Sequence, residues 1–134
     1  MNIENIRQLI EVIEAQEEQK SDYALGGFCM AFYQFNCGCP ACIGGWSAFL
    51  QNDRYPIDKD VDIPYFAAVW LGIDEGWATH NLFNPPKYNL YHLKKDRAIL
   101  ALQRLMEAGE NYRNLTQEDL WAILPAHDDS QDNR

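Results

Sequence analysis

Two glycines stand side by side at Gly44-Gly45, inside a run that otherwise reads as helix. They constrain the fold more than any other feature. Each glycine in a helix interior costs roughly 1 kcal/mol relative to alanine. Something that a side chain would prevent has to offset that cost. The simplest candidate is close approach of another backbone or of a large aromatic side chain. The pair belongs to Cys37-Gly38-Cys39-Pro40-Ala41-Cys42-Ile43-Gly44-Gly45-Trp46, which holds three of the chain's 4 cysteines. Pro40 suits a first helical position, where a missing N–H does no harm. The stretch therefore predicts a helix from Pro40 to about Gln51 with Cys39 as its N-cap. Ala41, Gly44, Gly45 and Ala48 form its small-residue surface, and Ile43, Trp46, Phe49 and Leu50 its bulky one.

The remainder reads as short amphipathic helices and connectors. Ile3, Ile6, Ile10 and Ile13, widened by Leu9 and Val12, predict a helix over 3–19 capped by Asn2. Ser21-Asp22 breaks it. Residues 28–36 are aromatic and uncharged, which suits a buried extended segment or short strand, with helix as the other reading. Residues 52–61 read as a polar loop. Asp62 then caps a helix over 63–71 with Pro64 in its first turn, and Gly72 stops it. Phe66, Ala67, Val69, Trp70 and Leu71 are expected to be mostly buried. Asp74 caps a further helix over 75–83, with Ile73 as its staple residue, and Asn84-Pro85-Pro86 ends it. Residues 87–92 connect to a strong helix from about Lys94 to Ala108, stopped by Gly109. Its inward residues are Ala98, Ile99, Ala101, Leu102, Leu105 and Met106. Thr116 opens a last helix with Asp119 completing its capping box. Leu120, Trp121, Ile123 and Leu124 dock that helix and Pro125 stops it.

The fold class that follows is mainly α. It is a compact single-domain bundle of five to six short helices, with an extended aromatic segment before the Cys-rich helix start. Hydrophobic residues at 47% and aromatics at 13% supply a core and argue against global disorder. The domain is expected over 1–124, with 125–134 as a mobile acidic tail. Neither a signal-peptide core nor an apolar run of membrane-crossing length is visible, so the expected location is cytoplasmic. Thiols there are reduced, which favours free cysteines or metal ligation over disulfides.

Formal net charge is −9 and the sequence pI about 4.6. That balance disfavours direct nucleic-acid binding, and it suits a basic protein partner. Cations cluster against the trend. Lys87, Lys94, Lys95, Arg97 and Arg104 lie in one span with Asp96 as its one acid. Lys94, Lys95 and Arg97 in a helix's first turn oppose the macrodipole, which makes them candidates for binding an anion.

Two further chemistries are readable. Cys37, Cys39 and Cys42, with Cys29 or with His80 or His92, supply enough donors for tetrahedral zinc, although two separated Cys pairs are the usual pattern. Alternatively, Cys39 at a helix start would favour its thiolate and act as a nucleophile beside His80 or His92. The plain alternative is that the cysteines are small residues at a tight turn. Asp58, Asp60 and Asp62 lack calcium-loop spacing, and no phosphate-cradling loop or nucleophile elbow is present. No cofactor is expected beyond the zinc alternative.

Several motifs together carry a resemblance. Cys-Gly-x-x-Ala-Cys-Ile-x-Gly-Trp at 37–46, the turn at 67–73 and Asn-Leu-Phe-Asn-Pro at 81–85 are three of them. The fourth is the Ala-Ile-x-x-Leu-x-x-Leu-x-x-x-Gly-Glu helix at 98–110. Together they resemble a loose group of small uncharacterised phage and bacterial proteins. Cys37 and Cys42 match that group's two cysteines, and Thr or Ser usually stands where Cys39 does. The resemblance implies a phage or prophage accessory protein. The function expected is a small non-enzymatic binding protein that docks a host protein or a small anionic ligand, so as to inhibit or modulate a host defence system. A homodimer is compatible with this. The zinc-stabilised module and a thiol enzyme using Cys39 are the alternatives.

Overall fold

The structure, a computed structural model, describes residues 1–58 and 60–122. Six α-helices appear in order: α1 (Ile3–Glu14), α2 (Ile43–Gln51), α3 (Ile63–Leu71), α4 (Glu75–Ala78), α5 (Lys95–Ala108) and α6 (Gln117–Trp121). A π-helical turn, Thr79–Phe83, extends α4, and 3-10 turns occupy Leu90–His92 and Gly109–Asn114. Among the described residues there are two isolated β-bridges and no longer strand. The expected mainly-α bundle is what forms. Ile123, Leu124, Pro125 and the 125–134 tail lie outside the described residues.

Most helix starts follow the predicted caps. Asn2, Asp62 and Asp74 accept from Asn5 N at 3.0 Å, Tyr65 N at 3.2 Å and Trp77 N at 2.9 Å. Thr116 and Asp119 exchange both bonds of a capping box. Helix α1 is shorter than its predicted 3–19. Beyond Ile13 its sequence offers nothing apolar larger than Ala15 to bury, and the chain turns to clamp Phe28 instead. Phe28 N donates to Glu17 O at 2.8 Å and Gln19 N to Phe28 O at 2.9 Å.

The start of α2 corrects the sequence reading. Residues 39–41 are extended, not helical. Phe35 N donates to Cys39 O, Ala41 N to Tyr33 O and Cys29 N to Ala41 O, at 2.8, 3.0 and 3.0 Å. A helix begun at Pro40 would lose these bonds. Helix α2 therefore begins at Ile43, and Cys42 is the N-cap, its sulfur accepting from Gly45 N at 3.5 Å.

The glycine pair behaves as its sequence demands. A Cβ on Gly45 would lie 1.8 Å from the Tyr33 carbonyl oxygen, and one on Gly44 would lie 2.7 Å from the Tyr33 ring. Backbone and aromatic ring both use the space.

Helix α2 packs on α3, α1 on α5, and α5 on α6. The core joins Ile6, Leu9 and Ile13 of α1 to Leu102 and Leu105 of α5, with Ile43, Leu71, Phe83 and Trp121 fully enclosed. Tryptophan indoles tie distant segments to this core. The Asn81 carbonyl faces Pro85 and Pro86 at its α- and π-helical donor positions, and proline has no N–H. Trp121 Nε1 donates to it at 2.9 Å, buried, from α6. Trp46 Nε1 reaches Gly27 O at 3.1 Å and Trp77 Nε1 reaches Leu115 O at 3.0 Å. Asn2 N and the Asn5 side chain satisfy the last carbonyls of α3, on Leu71 and Trp70, both at 2.8 Å.

Three substitutions test these contacts. Gly45→Ala should cost at least about 3 kcal/mol in urea unfolding, because the clash is with backbone. Gly76→Ala should be neutral or gain about 0.5 kcal/mol, since its Cβ meets nothing nearer than Asp74 Oδ2 at 3.5 Å. Trp121→Phe should lose about 1–3 kcal/mol in the same measurement by orphaning the Asn81 carbonyl.

Candidate functional site

The four cysteines occupy three environments. Cys42 is fully enclosed at the start of α2, and burial pushes its thiol up to about 12. Cys29 is buried beside Phe35 and Ala41 in a small apolar cluster apart from the main core, and burial raises it too. Cys37 and Cys39 sit at the tip of the turn over 35–39. Cys37 is exposed and Cys39 half-buried.

Backbone geometry makes this tip. Gly38 takes φ +91°, a left-handed value that favours glycine, and its N–H donates to Phe35 O at 2.9 Å. The 21–25 turn leans on it. Asn36 N donates to Asp22 O at 2.6 Å, and the Cys37 thiol donates to Ala24 O at 3.6 Å. The Cys39 thiol and backbone N–H beside the Cys37 sulfur favour its thiolate and lower its pKa. Cys39 moves the other way, raised first by the neighbouring Cys37 thiol and then by burial.

This overturns one expectation. Cys39 is not at a helix start and is not the thiol that ionises most readily; Cys37 is. The zinc set is also dispersed. Among the described residues no three of His, Cys, Asp and Glu gather at one point. Cys42 faces inward as a cap. His80 lies in the π-helical turn, its Nε2 3.5 Å from the Gln117 side chain, and His92 is exposed at the end of the 90–92 turn.

The basic span serves carbonyls within the fold. Lys95 Nζ donates to Glu14 O at 3.0 Å and Gln16 O at 2.6 Å, closing the end of α1. Arg97 donates to Trp121 O and stacks over the Tyr88 ring at 5.6 Å. Arg104 Nη1 reaches Leu120 O and Ala122 O, both at 2.9 Å. Lys87 pairs with Glu118, which raises the lysine and lowers the carboxyl. The Glu18 carboxylate supplies the missing cap of α5, accepting from Lys95 N at 3.1 Å. Of the anion-site candidates Lys94, Lys95 and Arg97, only Lys94 has a side chain turned to solvent without such a bond among the described residues.

Sequence reasoning missed a surface. Tyr65 and Val69, one helical turn apart on α3, are 48% and 55% exposed, although Val69 was expected inside. Tyr65 packs edge-on against Phe66 with ring centroids 5.4 Å apart. Phe66 in turn lines a shallow cleft of about 240 Å³ with Pro56, Ile57 and Val61. Tyr55, in the preceding loop, is also exposed. Asp53, Asp58, Asp60 and Asp62 outnumber Arg54 and Lys59 and leave this loop net acidic. The available signal was composition: α3 carries no charge on any side, so periodicity could not say which face it shows to water.

Comparison with family models, curated proteins and solved structures finds no match to this chain. Among the described residues no helix is long and apolar enough to cross a membrane.

The buried thiols set an alkaline limit. Cys42 stays protonated in the fold up to about 12, whereas its ordinary value is 9.0. Its contribution is complete below pH 9.0 and is lost as pH rises toward about 12, with Cys29 adding in the same direction. Unfolding midpoints in urea should fall across that window. Cys42→Ala should start lower at neutral pH but fall less steeply.

Proposed function

We propose that this chain is a small binding protein of phage or prophage type. It docks a basic host protein on the outer face of α3 and the cleft beside it, and thereby modulates a host system. The observation that carries this reading is the exposed Tyr65–Val69 pair on an uncharged helix, beside an aspartate-rich loop. An apolar anchor with an acidic rim is the arrangement that a basic partner with its own apolar contact would complement. The net charge of −9 supports the same reading, because it would speed encounter with a basic surface. The internal use of Lys95, Arg97 and Arg104 supports a protein over a small anion as the ligand. A partner that normally binds nucleic acid would be blocked by occupation of its basic face.

The test is capture of partners from bacterial lysate by the full chain and by the Tyr65→Ala/Val69→Glu variant, compared by quantitative mass spectrometry. Both side chains are exposed, so the variant should match the parent in thermal unfolding. Its affinity for the captured basic protein should drop at least about thirtyfold, the scale of losing an aromatic anchor. Equal capture by both proteins, or no partner for either, would overturn the reading. Raising salt should slow association more than it speeds dissociation.

A further inference from the structure

We propose that Cys37-Gly38-Cys39 is a thiol–disulfide exchange site that takes low-molecular-weight disulfides of the glutathione class, with Cys37 as the attacking thiol and Cys39 as the resolving one. The proposal is independent of docking on α3. It rests on the placement of the two thiols. Cys37 is exposed at the tip of a tight turn, Cys39 stands half-buried two residues on, and only Gly38, in a left-handed conformation that folds the turn back, separates them. Exposure fixes which one attacks, since Cys37 meets solvent and Cys39 is half-covered; the Cys39 thiol and N–H beside it favour the Cys37 thiolate as well. The other two cysteines are enclosed, so an incoming disulfide meets this pair first. The neighbouring turn presents Tyr23 and Leu25, 73% and 86% exposed, as an apolar flank beside the sulfur.

Two displacements carry the exchange. The Cys37 thiolate attacks one sulfur of glutathione disulfide, forming a mixed disulfide on Cys37 and releasing one glutathione thiolate, which takes up the proton Cys37 lost. The Cys39 sulfur then gives up its proton and attacks the Cys37 sulfur. The Cys37–Cys39 bond forms, and the second glutathione leaves as thiol. The two protein thiols are oxidised by two electrons and the glutathione disulfide is reduced by the same two. An exposed ring of this small size is readily reopened by excess thiol, so the site is reversible. Closing it also removes the hydrogen that Cys37 donates to Ala24 O.

The experiment incubates the full-length protein with glutathione disulfide at neutral pH and follows intact mass and peptide maps. The natural protein should lose two hydrogens, mapped to Cys37–Cys39, with Cys29 and Cys42 free until it is unfolded. Cys39→Ser should stop at one glutathione per chain, on Cys37. Cys37→Ser should react at least about tenfold more slowly than the natural protein, because the exposed thiol is gone and only half-buried or enclosed thiols remain. Both substitutions are at the tip of a turn, and unchanged far-ultraviolet circular dichroism will confirm the fold. Three results would overturn the proposal: no loss of thiols in the natural protein, a Cys37 adduct that Cys39 never resolves, or Cys37→Ser reacting as fast as the parent.

Discussion

The Tyr33 carbonyl lies where the side chain of Gly45 would be, and much of the structure depends on that contact. The same oxygen accepts from Ala41 N at 3.0 Å, so it joins the aromatic segment to the strand-like approach of α2. With Tyr33 seated on the glycine pair, residues 39–41 have no freedom to wind into the helix. The helix must wait until Ile43, and Cys42 becomes its cap. One turn further, Trp46 anchors the segment again through Gly27 O. A long stretch without regular secondary structure is thus held by backbone pairing against a helix, which keeps its polar groups satisfied although it is buried.

Short helices create a second demand. Each leaves unpaired carbonyls at its end, and this chain has many ends for its length. Cations, amides and an indole from elsewhere answer several of them: Lys95 at α1, Arg104 at α6, Asn2 and Asn5 at α3, and Trp121 at the π-helical turn. Pairing a cation with helix carbonyls is favourable on both hydrogen-bond and dipole grounds. It also explains how an acidic protein places five basic residues in one span. Several of those charges stay beside the fold's own carbonyls, and the aspartates of the 52–62 loop are left to dominate the surface beside α3.

The legibility of the sequence follows the range of each interaction. Caps and stops are local, and Asn2, Asp62, Asp74, Thr116 and Gly72 act where their sequence context puts them. The cost of Gly44-Gly45 is local too, so the need for a close neighbour was readable, though not that Tyr33 would be that neighbour. What depends on distant pairing was not readable. Pro40 and Cys39 carry every local sign of a helix start, yet bonds to Tyr33 and Phe35 hold them extended. Lys95 and Arg97 look misplaced in a first turn until Glu14 and Trp121 are brought beside them. Val69 belongs to the same class, since a helix apolar on every side shows no preferred face until its neighbours are in place.

The cysteine stretch finally divides into two parts with different physical duties. From Cys42 inward, sulfur is a small apolar group whose lone pair caps a helix, and its ionisation is suppressed by burial. From Cys39 outward, sulfur passes from half-buried to exposed, and a neighbouring thiol and N–H promote ionisation at Cys37. The boundary between them is the pairing of Gln34 with Pro40, where the chain leaves the cluster of Cys29, Phe35 and Ala41. That cluster is separate from the main core. Chemistry at the tip therefore acts on a small local unit, the 21–25 and 35–39 turns, and a change there is opposed by the few bonds joining those turns rather than by the whole core. Gly45, Cys42 and the main core can remain as they are while the tip opens or closes.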